Sequence, residues 1–196
     1  MSLAAFQSVL ARLILEPEFR DRVREGEAAA LQGELTDGER ERLRRIAADP
    51  GLDVNRTLHK GFRLGKLRSL LPLTCSLLGS RALTREVAAF WAERPPSGFY
   101  FLPEALEFCD FLAARRVRRK YLPEIVAFER AALELQRARF DEPPPQLVHF
   151  EHDPAALLAA VAGGRRPRGI PARRCLAVAQ RDASGAVQWR IAEPAA

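Results

Sequence analysis

Three consecutive prolines, set in Glu142-Pro143-Pro144-Pro145-Gln146, divide this sequence more sharply than anything else in it. Each proline ring fixes φ and removes a backbone N–H, so the run cannot continue a helix and favours a stiff extended segment. The hydrophobic pattern changes across it. Upstream, apolar residues recur at three- and four-residue spacing, the period of amphipathic helices. Downstream, Gln146 to His152 alternates as a strand does, with Leu147, Val148 and Phe150 available to pack. Asp153-Pro154 then caps and starts a helix through Leu157, Leu158 and Val161, which Gly163-Gly164 ends. Arg174 to Arg181 reads as a strand, Asp182-Ala183-Ser184-Gly185 as a turn, and Val187 to Ala192 as a second strand. The expectation is an α+β chain, with an all-helical domain over residues 1–141 and a small β-α-β-β domain over 146–196.

Punctuation inside the helical part is also local. Leu3, Phe6, Val9, Leu10, Leu13 and Ile14 form a first apolar stripe, and Pro17 stops or restarts the helix. Thr36-Asp37-Gly38-Glu39 has the form of a capping box ahead of Leu43 and Ile46. A helix starting near Asp53 or Asn55 runs through Leu58, Phe62, Leu64, Leu67 and Leu71, with Arg56, Lys60, Arg63, Lys66 and Arg68 on its polar face. Pro72 marks a break before the apolar stretch Leu73 to Gly79, and Arg81 to Glu93 is helical. Pro103 suits the first turn of a helix reaching Arg115, and a last long helix spans about Lys120 to Phe140.

Composition excludes several classes. With 47% hydrophobic and 29% charged residues, the chain carries enough apolar material for a core and is not that of a disordered protein. No apolar stretch approaches the roughly 20 residues needed to cross a bilayer, and no secretory signal is visible, so the cytoplasm is the expected compartment. Cys75, Cys109 and Cys175 lie far apart and form no C-x-x-C pair, which argues for buried, reduced thiols. The net charge is +6. Its excess sits in Arg115-Arg116-Val117-Arg118-Arg119-Lys120 and in residues 165–174, which hold five arginines and no acid. Such a balance attracts nucleic acid, anionic membrane or an acidic peptide.

A catalytic set is not found. The three histidines are His59, His149 and His152. On a strand, His149 and His152 point to opposite faces and cannot share a metal without a bulge. No nucleophile elbow, phosphate-binding loop or dinucleotide fingerprint is present. The aromatic run Phe99-Tyr100-Phe101 cannot all face one core. Together with Trp91 it is the expected surface for a protein partner, since aromatic rings are enriched at interfaces.

Longer stretches carry a family likeness. Phe62-Arg63-Leu64-Gly65-Lys66-Leu67-Arg68-Ser69-Leu70-Leu71-Pro72-Leu73-Thr74 is followed by Leu77-Leu78-Gly79 and by a helix ending in Trp91-Ala92-Glu93-Arg94-Pro95-Pro96. Then come Phe101-Leu102-Pro103-Glu104-Ala105-Leu106-Glu107-Phe108-Cys109-Asp110-Phe111-Leu112 and, in the tail, Val148-His149-Phe150-Glu151-His152-Asp153-Pro154. This set, covering most of the chain, resembles partner proteins of the multinuclear non-haem iron oxidative enzymes that modify cysteines of ribosomally made peptides. Those partners include the second subunit of the methanobactin synthase, the partner subunit of thiaglutamate biosynthesis, to which the likeness is closest, and a related family once labelled DNA-binding.

The resemblance implies a non-catalytic accessory subunit. It implies no cofactor in this chain, iron in a barrel-shaped partner enzyme, and a C-terminal part similar to a peptide-recognition element for the precursor's leader. The expected peptide-binding residues are Arg173, Arg174, Cys175, Ala177, Val178, Gln180 and Arg181, on the premise that Cys175–Gln180 or Val187–Ile191 offers an unpaired strand edge. The arginines would steer an acidic leader. The expected enzyme contact is Trp91, Phe99, Tyr100 and Phe101. A DNA-binding regulator using the basic helix around Asn55 to Leu71 is the alternative reading; its affinity would fall steeply with salt.

Overall fold

The computed structural model describes residues 3–31, 33–94, 101–115, 117–137, 143–182 and 184–192. Its contacts divide the chain into two units, Met1–Arg63 and Leu64–Ala196. In the first, α1 (Leu3–Leu15), α2 (Pro17–Arg24) and α3 (Asp37–Ala48) precede the start of α4 (Gly51–Leu70). Pro17 occupies the first turn of α2, where its missing N–H breaks no helical bond. The capping box forms as its sequence predicts. Thr36 Oγ1 accepts the Glu39 N–H at 3.3 Å, and the Thr36 N–H donates to Glu39 Oε2 at 2.7 Å. These short helices bury Leu13, Phe19, Val23, Leu31, Leu35 and Leu43 in a core of their own. Arg20 is buried there and pairs with Asp53 at the head of α4.

In the second unit, the end of α4 is followed by α5 (Pro72–Glu93), α6 (Phe101–Arg115) and α7 (Leu122–Arg137). Pro72 starts α5, so the apolar stretch Leu73 to Leu78 forms its first turns. Gly79, at φ 69°, then interrupts α5 in the left-handed region, where a side chain would be strained. Phe90, Phe108 and Phe111 pack with ring centroids 5.2 to 6.2 Å apart and centre the helical core.

The tail folds as the expected β-α-β-β: β1 (Gln146–His152), α8 (Pro154–Ala162), β2 (Ala172–Arg181) and β3 (Val187–Ala192). The architecture is therefore α+β, mostly helical with one three-stranded antiparallel sheet in the order β1-β2-β3. Val148 lies opposite Ala177, Phe150 opposite Cys175, and Ala179 opposite Trp189. Val148, Phe150, Cys175, Ala177 and Ala179 are buried. On α7, Phe128 stacks on Trp189 with centroids 4.3 Å apart and meets Phe150 nearly edge-on at 6.4 Å. The opposite face of the sheet carries Leu147, which is 60% exposed, and His149, Arg174 and Arg190.

The division expected at the triple proline is not the one the core follows. Val148, Phe150, Leu157, Val161, Cys175 and Ala177 share one buried cluster with Leu71, Phe90, Phe108 and Ile125. Compactness divides the chain after Arg63 instead. The apolar face of the sheet packs on α7, through Phe128, Phe150 and Trp189, so the strands share the core of the helices. The prolines end the helical period without ending the domain.

Candidate functional site

The sheet is where a peptide could be read, and its pairing decides which residues are available. β2 is the central strand, paired with β1 on one side and β3 on the other. It therefore has no free ladder edge, and the expectation that Cys175–Gln180 accepts an added strand is corrected. Cys175 and Ala177 face the core; Val178, Gln180 and Arg181 are half-buried. The arginines expected to steer a peptide are already engaged. Arg173 Nη1 donates to Asp153 Oδ2 at 3.1 Å, and Arg174 Nε donates to Glu151 Oε2 at 2.8 Å. Asp153 also caps α8 by accepting the Ala156 N–H at 2.8 Å. That backbone bond, with Arg173 adding to it, holds its carboxyl below the usual range.

The two outer strands differ. At β1, the Glu151 and His152 N–H groups donate to Glu124 Oε2 of α7 at 3.0 and 3.1 Å, and Glu124 Oε1 meets His152 Nδ1 at 2.8 Å. The end of that strand is thus capped from inside the fold. β3 is the other edge. The Asp182 N–H bonds to Ala186 O at 2.9 Å and sets the hairpin register. Because antiparallel pairs alternate, Gln188, Arg190 and Ala192 turn their N–H and C=O groups toward β2, and Val187, Trp189 and Ile191 turn theirs outward. The second edge named from sequence, Val187–Ile191, is an edge strand with outward-facing backbone groups.

The aromatic set is divided. Trp91 is half-buried, and its indole N–H donates to Glu104 Oε1 at 2.8 Å, tying α5 to α6. Phe101 is half-buried at the start of α6, with Lys66 Nζ 5.9 Å from its ring centre. Phe99 and Tyr100 lie outside the described residues. An apolar stripe that sequence reading placed partly in the core is on the surface: Val54, Leu58 and Phe62 of α4 are 60%, 66% and 55% exposed. Their spacing of four was the available signal. The same helix carries Leu67 to a buried position, and Leu71, just past its end, is buried too, so α4 has two apolar stripes and not one. Arg63, counted with the basic face of α4, is buried.

Buried ionisable groups serve the fold. Glu129 of α7 accepts the Leu73 and Thr74 N–H groups at 2.7 and 2.8 Å, capping α5 from a distant helix. Burial pushes its carboxyl above the usual range. Burial likewise pushes the Cys75 and Cys109 thiols up to about 12, so neither is a nucleophile near neutral pH. Among the described residues, no group of three or more His, Cys, Asp and Glu side chains is placed to hold a metal, and no helix is long and apolar enough to cross a membrane. Comparison with protein-family models finds no match to this chain, and comparison with curated proteins finds none.

Proposed function

We propose that this chain is a non-catalytic partner subunit. It binds an iron-dependent, peptide-modifying oxidative enzyme and recruits the leader of a ribosomally made precursor peptide for cysteine modification. The observation that carries the reading is the β3 edge, with the backbone groups of Val187, Trp189 and Ile191 facing outward, on a sheet whose other edge strand is capped at its His152 end by Glu124. An extended leader adds there as a fourth strand, held by main-chain hydrogen bonds, with alternate side chains reading the sheet surface. The exposed α4 stripe Val54-Leu58-Phe62 supports a protein-binding role, because large apolar side chains in contiguous exposed positions mark interaction surfaces. We assign the enzyme contact to this stripe, with Trp91 and Phe101 as the sequence-derived alternative. The resemblance of the Phe101–Leu112 and Val148–Pro154 stretches to such partner subunits is the second line of support. The cytoplasm is the compartment that this role requires.

Reconstitution tests it. The chain is mixed with an iron-bearing barrel enzyme of that class and a cysteine-bearing precursor peptide. The expected result is a stable complex by size-exclusion chromatography, and peptide modification that requires this chain. A Leu58→Asp, Phe62→Asp variant loses the complex while keeping its helical circular dichroism. An enzyme that modifies its precursor equally well without this chain, and forms no complex with it, overturns the reading.

A further inference from the structure

We propose that a cationic cleft between the turn ahead of α7 and the α8–β2 loop binds an acidic stretch of an extended peptide. The proposal rests on the reading above, that such a peptide is the chain's ligand, and assigns it a second subsite away from the strand edge. Two adjoining cavities of about 590 and 310 Å³ share Leu77, Arg119, Arg166 and Pro167. Arg118, Arg119 and Lys120 stand on one side, and Arg165, Arg166 and Arg168 on the other. Arg81, just after the break in α5 at Gly79, adds a further charge. No carboxylate lines either cavity. Among the described residues none of these cations pairs with a carboxylate, in contrast to Arg173 and Arg174 a few positions downstream.

The walls are built, not merely adjacent. Arg119 Nη1 donates to Leu77 O at 3.2 Å, fixing one side to α5. Tyr121 lines the larger cavity with its backbone at φ 71°, and its buried hydroxyl has no hydrogen-bond partner. Ser80, Arg81 and Ala82 line the smaller cavity where α5 restarts, and the start of a helix favours negative charge. Like charges gathered in one cleft repel each other and concentrate anions there.

The occupant follows from the layout. The cations are spread along two connected cavities and do not converge on one point, which matches carboxylates spaced along a chain better than a single phosphate. The lining offers no exposed aromatic ring for base stacking, the platform single-stranded nucleic acid uses; the Tyr121 ring is buried. The position also suits a peptide on β3. Ala192, the end of β3, pairs with Leu176, four residues from Ala172, where β2 begins after the loop bearing Arg165–Arg168. A strand added along β3 and running past Ala192 leaves the sheet at the end that carries the cleft.

The test compares two arginine pairs from the same ten-residue run. A short fluorescein-labelled peptide alternating Glu and Gly is titrated against the full chain, with a Gln-Gly peptide as the neutral probe and pyrophosphate and a short single-stranded RNA as competitors. The Glu-Gly peptide is expected to bind more tightly than the neutral one. Binding should weaken as salt shortens the Debye length from about 10 Å at 0.1 M to about 3 Å at 1 M. R166Q/R168Q weakens it about fivefold, whereas R173Q/R174Q, which removes the same charge from paired positions, changes it less than about twofold. Both arginines of the first pair are exposed on a loop, so the fold is kept. Equal losses from the two pairs, or equal binding of the neutral peptide, overturn the proposal. Displacement of the acidic peptide by much lower concentrations of pyrophosphate or RNA overturns it too and assigns the cleft to phosphates. If the precursor leader binds but R166Q/R168Q has no effect on the acidic probe, the cleft fails alone. If the cleft behaves as stated but neither leader nor enzyme binds, the partner-subunit reading fails instead.

Discussion

The two edge strands of the sheet end differently. On β1, Glu124 reaches from α7 to accept two backbone N–H groups and to hold His152, whose ring meets Tyr121 edge-on at 4.7 Å. On β3, the side chains facing α7 are anchored by the Trp189–Phe128 stack, while the outward backbone groups meet no element of the fold in the described residues. β1 is capped at its His152 end by a carboxylate from within, while Leu147 and His149 still turn their backbone groups outward; β3 has no such cap among the described residues. Edge strands are normally blunted against unwanted pairing. The cap shortens the edge that β1 offers, and β3 keeps its outward groups along Val187–Ile191.

This comparison breaks or sharpens under three substitutions, taken from the largest effect down. Val178→Pro removes a ladder donor from the central strand, leaves its acceptor on β3 unpaired and puts a ring where the strand is paired on both sides, so it should be the most destabilising of the three. Because the sheet shares its core with α5–α7, urea unfolding should show one transition of the second unit moved to lower denaturant. Loss of sheet signal with an unmoved helical transition would contradict the shared core.

Glu124→Ala leaves the Glu151 and His152 N–H groups without their acceptor and should cost about 2–3 kcal/mol. It also uncaps the His152 end of β1. Amide exchange at Glu151 and His152 should rise sharply, with exchange along β2 little changed. Unaltered exchange at those two amides would mean that Glu124 does not cap that end.

Ile191→Pro acts on an outward-facing N–H and should change stability by less than about 1 kcal/mol. Leader binding should nevertheless fall at least about fivefold, since one main-chain bond to the added strand is lost and its neighbours are displaced. Retention of full leader affinity by this variant, with the sheet intact, would place the peptide elsewhere.

Local rules made much of the fold legible. Pro17 and Pro154 sit in first helical turns, Thr36 and Glu39 close their box, and the β-α-β-β order follows from alternation and turn residues, whereas Pro72 starts α5 where the sequence reads a break before a helix at Arg81. Buried cysteines followed from their spacing and apolar surroundings. These signals act over four or five residues, which is the range of capping bonds, helical periods and tight turns. The candidate site was legible only in outline. Sequence does not separate the paired from the unpaired arginines of the run 165–174, and it puts Leu58 and Phe62 on one apolar face with Leu64, Leu67 and Leu71.

What the tertiary structure alone decided is which strand lies in the middle, which arginines are neutralised and where the core divides. β2 became central because β1 and β3 both pair with it, so Cys175–Gln180 lost the edge while Val187–Ile191 kept one. Arg173 and Arg174 pair with Asp153 and Glu151, 20 and 23 residues away along the chain. Arg165, Arg166 and Arg168, in the loop before the strand, came to face Arg118 and Lys120 instead. Composition and period fix how each segment folds. Pairing between distant segments sets which of its groups are satisfied, because a hydrogen bond or ion pair depends on a partner that the segment does not contain.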